Sequence, residues 1–206
     1  DVVVDAQGDS TINATVIAAS AAVAVSGSTG VGASIGVAIA RNFLGQDRLG
    51  NEDALEVKAY LSDSSVNAGG DLIVTADAAQ SINALTFAGS VAVSVGSTGV
   101  AVSGSGVWNE NAINVDVLGA IDGDAGALAD DRQGDAITVS ATNTSEINAF
   151  AGAASVAVAV GSTGVGVSIG LGLGQNDIGG TVIARIQNAD DGVPARSGDV
   201  TVAADN

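Results

Sequence analysis

Residues 156–174 read VAVAVGSTGVGVSIGLGLG, with a branched aliphatic at every second position, only Ala, Gly or Ser between, and GSTG in the middle. No charged residue occurs from Ala149 to Asn176. A period of two puts the large side chains on one face of an extended strand and the small ones on the other, whereas a helix would scatter them. Before the GSTG, Phe150, Gly152, Ala154, Val156, Val158 and Val160 share a face; after it, Val165, Val167, Ile169, Leu171 and Leu173 do. Ten such residues extend to about 33 Å, longer than most strands. The run therefore predicts an all-β chain built on long strands. A face of Gly, Ala and Ser is neither an ordinary core nor an ordinary solvent face, and it lets a second sheet approach well inside the usual ~10 Å. These strands are expected to be buried on both faces, the branched side on neighbouring strands and the small side against another apolar sheet.

Antiparallel closure around GSTG sets Val160 opposite Val165, Ala154 opposite Leu171 and Gly152 opposite Leu173. The same rule sets Phe87 opposite Trp108 and Ala21 opposite Ile35. Matching small with large at these positions fits a hairpin within one sheet or two sheets face to face.

The run is one of three. Ile12-Asn13-Ala14, Ile82-Asn83-Ala84 and Ile147-Asn148-Ala149 align, as do the GSTG stretches starting at Gly27, Gly96 and Gly161. Each copy reads as four strand segments. Segment a is the DVVVDA type, b runs from INA to the GSTG, and c runs on to a polar cluster (RNF, WNE, GQND). Segment d is VKAYL, VDVLGAI or TVIARI. Copies of about 64–70 residues span 1–70, 71–134 and 135–198, and 199–206 begins a fourth. Since residue 1 already lies inside a copy, the chain is expected to be a piece of a longer array. The expected architecture is a repetitive β-solenoid, layered with inner apolar sheets under outer ones. The branched side of b and c should pack on a and d, whose outer positions (Glu56, Lys58, Asp116, Arg185) meet water. Each copy would be incomplete until its neighbour covers it.

Six basic residues stand against 23 acidic ones, for a net charge of −17. That field repels nucleic acid and anionic membranes. It keeps an apolar chain soluble; halophilic origin and loose binding of divalent cations such as Ca²⁺ are the other readings. Cysteine is absent, so redox chemistry says nothing about compartment.

The stretch AYLSDSSVNAGGDLIVTADAAQSINAL (59–85), followed by VSVGSTGVAVSGS, resembles the long repeats of bacterial filamentous-haemagglutinin-like and autotransporter-type surface adhesins. The resemblance recurs in all three copies. It implies an extracellular, elongated β-solenoid stalk or fibre at the cell surface. The connectors from c to d, such as RNFLGQDRLGNEDALE, are longer and more charged than that family suggests.

No residue is assigned a catalytic, cofactor-binding or metal-binding role, and an enzyme is not expected. DGDAG at Asp122–Gly126 is rich in oxygen ligands but lacks the rest of a calcium loop and reads as a solvated turn, as do Asp130-Asp131 and Asp190-Asp191. With no histidine, a nucleophilic triad would fall back on Lys58 as base. The GSTG serines are expected in tight turns whose glycines take positive φ, and GSTG lacks the lysine of a phosphate loop. Paired acids for sugar cleavage lack aromatic platforms. The uncharged runs 14–40, 84–108 and 149–176 are long enough to span a bilayer, but their period of two, acidic flanks and missing aromatic girdles make membrane insertion a secondary reading. The expected partner is the chain itself, stacked head-to-tail into a filament, with host or cell-surface glycans on the variable loops as the alternative.

Overall fold

The computed structural model describes residues 1–47, 49, 51, 53–64, 66–123, 134–189 and 195–206; these are all-β, without helix. The strands are β1 (Val2–Val25), β2 (Thr29–Leu44), β3 (Leu55–Ser62), β4 (Leu72–Val95), β5 (Thr98–Asp122), β6 (Ile137–Asn143), β7 (Glu146–Val160), β8 (Thr163–Gly179), β9 (Val182–Gln187) and β10 (Val200–Asp205).

Segments a and b are one strand in the first two copies, β1 and β4, each of 24 residues. In the third copy they part as β6 and β7. Segments c and d fuse in the second copy as β5, of 25 residues. The polar clusters RNF, WNE and GQND thus lie inside strands and do not end them.

All strand pairing runs parallel, copy on copy. A first sheet joins β1 to β4, β4 to β6 and β7, and β6 to β10. On the other side β2, β5 and β8 pair in order, with β3 and β9 flanking the d part of β5. Equivalent positions stack in register: Asn13 on Asn83 on Asn148, and Thr29 on Thr98 on Thr163. The three INA triplets and the three GSTG stretches therefore form ladders.

Within a copy, b and c do not form a hairpin in one sheet. They lie in opposite sheets, joined by Ser26–Ser28 in the first copy and by two residues, Gly96-Ser97 and Gly161-Ser162, in the others. Their small faces meet. Ser20 Oγ is 2.7 Å from Ser34 Oγ, and the Ser90–Ser103 and Ser155–Ser168 pairs close at 2.6 Å. A Cβ added to Gly32 would stand 2.8 Å from the Val93 carbonyl oxygen, and one added to Gly30 would stand 2.8 Å from that of Val95. The sheets touch through backbone, so the expected close approach of the small faces is present.

Other expectations about these strands are overturned. The branched faces of b and c are not buried on a and d; they point outwards on both sides. Strand continuity dictates this: in β1, odd positions face out all along, so Val23 and Val25 share the outer face of Asp5 and Asp9. Val160 and Val165 therefore point away from each other, as do Phe87 and Trp108, and their size matching has no contact behind it. The small-residue interior is shared between copies: Ser20 meets Ser34 of its own copy, while Gly30, Gly32 and Gly36 of the first copy abut main chain of the second, so a neighbouring copy completes it as expected.

The interior divides along the strands. Between a and d lies a branched core that includes Leu72, Val74, Ile82, Ile113, Val115, Val117, Ile121, Ile137 and Val139. Between b and c the buried contacts are Ala38, Ala88 and Val107, with Val16, Ala18, Ala151 and Ala153 against them. We call the first half the body and the second the fin. In the first copy ten residues separate Leu44 from Leu55 where only Asn114 separates the paired Ile113 from Val115. A long connector from c to d, expected in every copy, is thus present only there.

Candidate functional site

The fin's outside is the unusual surface. On the first sheet it presents Ile17, Val23 and Val25 in copy one, and Val156, Val158 and Val160 in copy three. On the second it presents Val31, Ile35, Val37 and Ile39, answered by Val165, Val167, Ile169, Leu171 and Leu173. Even in the middle copy, flanked on both sides, Val91 is 42% exposed and Val102 44%. Contiguous apolar area on this scale marks an interaction surface. It arises because a sheet faced only with Gly, Ala and Ser buries little apolar area, so the branched half of each strand is left outside.

The second sheet's outer face has relief. The register stacks Ile35 on Gly104 on Ile169, Val37 on Gly106 on Leu171, and Ile39 on Trp108 on Leu173. A depression at the Trp108 end is lined by Trp108, Leu173, Gly174 and Gln175. On the first sheet, the corresponding border between fin and body carries the Asn13–Asn83–Asn148 amide ladder, with Leu85 and Phe150 beside it. Asn83 Nδ2 donates to Asn13 Oδ1 at 3.1 Å, and Asn148 Nδ2 to Asn83 Oδ1 at 3.4 Å.

A second amide ladder runs inside, at the same border. Asn42 Nδ2 donates to Asn111 Oδ1 at 2.7 Å, and Asn111 Nδ2 donates to Asn176 Oδ1 at 2.8 Å and to Asn109 Oδ1 at 3.0 Å. Nothing in the sequence reading picked it out, although Asn recurs in all three polar clusters, RNF, WNEN and GQND.

The sequence candidates fall into structural roles where they are described. Asp122 ends β5, and its carboxylate accepts from Gln187 Nε2 at 2.7 Å and Asn188 Nδ2 at 2.9 Å in the next copy. Asp116 accepts likewise from Thr181, through N at 2.9 Å and Oγ1 at 2.7 Å. Acids of one copy thus hold the next through charge-assisted bonds. Residues 124–126, with Asp130, Asp131, Asp190 and Asp191, lie outside the described residues. Among the described residues no three acidic, His or Cys side chains gather as a metal site would require. Lys58 Nζ pairs with Glu56 Oε1 at 2.6 Å on the outer face of β3.

The GSTG glycines also need correcting: the positive-φ glycines among the described residues are Gly45 and Gly180, at the junctions of c and d. GSTG instead forms a short arc between sheets, where the Gly30 position brushes the Val95 carbonyl. The serines serve the ladder: Ser97 Oγ donates to Gly27 O at 3.2 Å, and Thr98 N to Ser28 O at 2.9 Å.

No protein-family model matches the chain, and no curated protein or solved structure is similar to it.

Proposed function

We propose that this chain is a structural repeat module, a segment of a β-solenoid in a large extracellular surface protein of the fibre or adhesin type. The observation that supports it most is the unbroken in-register parallel ladder from copy to copy, through main chain, amides and carboxylates alike. Such a ladder propagates by adding copies and needs no ligand. The resemblance to bacterial surface adhesins is what supports an extracellular reading.

The geometry favours one kind of module. Strand spacing advances the array by only about 4.8 Å per copy, while a 24-residue strand runs about 80 Å across it. A copy therefore adds mostly width, as a plank with an acidic body and an apolar fin, and contributes little length as a spacer. Display of a broad, stiff surface is the function that this shape serves.

Solution scattering tests the shape. The isolated chain is expected to show a maximum dimension of about 80 Å, set by strand length. A radius of gyration near 17 Å, that of a compact globule of this size, would overturn the plank. Protease treatment of intact source cells tests the location. Cleavage without lysis is expected, and a chain protected until lysis would sink the surface assignment.

A further inference from the structure

The second sheet's outer fin face is shaped to receive itself. In the middle copy, Gly104 and Gly106 leave a notch walled by Ile35 and Val37 on one side and by Ile169 and Leu171 on the other. A Cβ placed on either glycine would meet nothing within 4 Å, so the notch is open to the outside. On the same strand and face stands Trp108, the chain's single tryptophan, 40% exposed. A half-exposed tryptophan next to an empty apolar notch is the anchor-and-pocket arrangement of binding hot spots. The first sheet offers no such fit, because its middle glycine, Gly89, lies between Ala19 and Ala154 and a Cβ there would already meet the Phe87 ring at 3.5 Å, so no open notch is present.

We propose that this face docks on the same face of a second copy with strands antiparallel, each Trp108 entering the Gly104–Gly106 notch of the other. A two-fold axis lying in the interface and along the ladder direction lays middle strand on middle strand. The register that puts Trp108 over Gly104 also puts Gly106 over Gly106, so one operation satisfies both anchors, as an isologous contact requires. Charge selects the direction. The fin runs 14–40, 84–108 and 149–176 carry no charge, and the net −17 lies outside them. Antiparallel fins carry the two acidic bodies to opposite ends, whereas parallel fins would set them side by side. The area suffices too. Ten residues by three strands make a face of about 33 Å by 14 Å, and two corrugated faces of that size bury about 1,000 Å², the lower bound for a specific interface. A bilayer fits less well, because with one Trp and one Tyr the chain has no aromatic girdles to border a membrane-facing band.

Sedimentation velocity over a concentration series, read alongside tryptophan emission, tests this. A monomer–dimer equilibrium is expected, with emission moving to shorter wavelength in step because Trp108 is the sole reporter. Gly104→Arg fills the notch with charge at a site with room for it; it should weaken association by about thirtyfold or more, as loss of a hot spot does. Val91→Arg, on the first sheet's outer face, should leave association within about twofold. Should Gly104→Arg fail to fold, Trp108→Ser gives the same sedimentation readout. A wild-type chain that stays monomeric overturns the proposal, as does equal loss of association in Val91→Arg. Flotation of monomeric chain with phosphatidylcholine vesicles, with the emission shift occurring there, would make a bilayer the occupant and overturn it as well.

Discussion

Gly36→Val is expected to destabilise the chain by about 1–3 kcal/mol, while Gly104→Val leaves stability unchanged or raises it. Both glycines sit in the second sheet's fin, and both substitutions gain the same strand propensity, worth up to about 1 kcal/mol. They differ in what the new side chain meets. A Cβ at Gly36 stands 2.5 Å from the Gly89 carbonyl oxygen and 3.2 Å from its carbon, which is main chain of the facing strand and cannot rotate away. At Gly104 the space is empty. Gly170→Val should fall between, since its Cβ would sit 3.1 Å from the Ala153 oxygen. Thermal melts rank the three; for a chain of this length each kcal/mol moves the midpoint by about 2–4 °C. Equal stability of the Gly36 and Gly104 variants would mean that the small-residue faces are not in contact.

That ranking rests on the part of the fold the sequence made legible. A face reading Ala, Gly, Ser at every second residue has one physical use, contact at backbone distance, and the structure puts it there. The repeated INA and GSTG stretches found the ladder for the same reason: parallel in-register stacking sets like on like.

What lay beyond reach was direction. The polar stretch QGDST, residues 7–11, reads as a break between a and b, yet β1 runs through it. Main-chain ladder bonds to the next copy do not depend on those side chains, and Gln80 Nε2 adds a bond to Gly8 O at 2.7 Å. Once a and b are one strand, parity alone forces the branched face outside. The facing register was readable from another signal than size. Serines 13 or 14 residues apart across each GSTG mark the contact between sheets, whereas matching volumes on the opposite face paired residues that never meet. The notch at Gly104 and Gly106 was hidden because it exists only between copies: no single strand shows that Ile35 and Ile169 wall it.

The second large effect is expected at Asn111, where replacement by alanine should cost about 2–5 kcal/mol. The residue is 1% exposed and sits at the centre of the internal ladder. Its loss strips the Asn42 amide of its acceptor and the Asn109 carbonyl of its donor, both buried, and each orphaned group costs about 1–3 kcal/mol. Asn83→Ala, in the outer ladder where water can substitute, should cost less than about 0.5 kcal/mol. Urea titration separates the two variants; indistinguishable midpoints would refute the assignment. The reason for placing amides here goes beyond their bonds. The fin's strands repeat Val-Ala and Val-Gly, so a slip of two residues between copies would keep every side chain on its proper face and lose little apolar contact. A two-residue slip toward Asn109 would let Asn42 and Asn176 pair with that amide but would set Asn111 against Leu44 and Ile178. The full set of bonds forms only when the copies are in step, which makes these amides the register pin between a degenerate fin and the body. Amide hydrogen exchange should therefore show the fin of Asn111→Ala losing protection while the Leu72–Val139 body core keeps it. A uniform loss across both halves would mean that the ladder stabilises the plank as a whole and pins nothing.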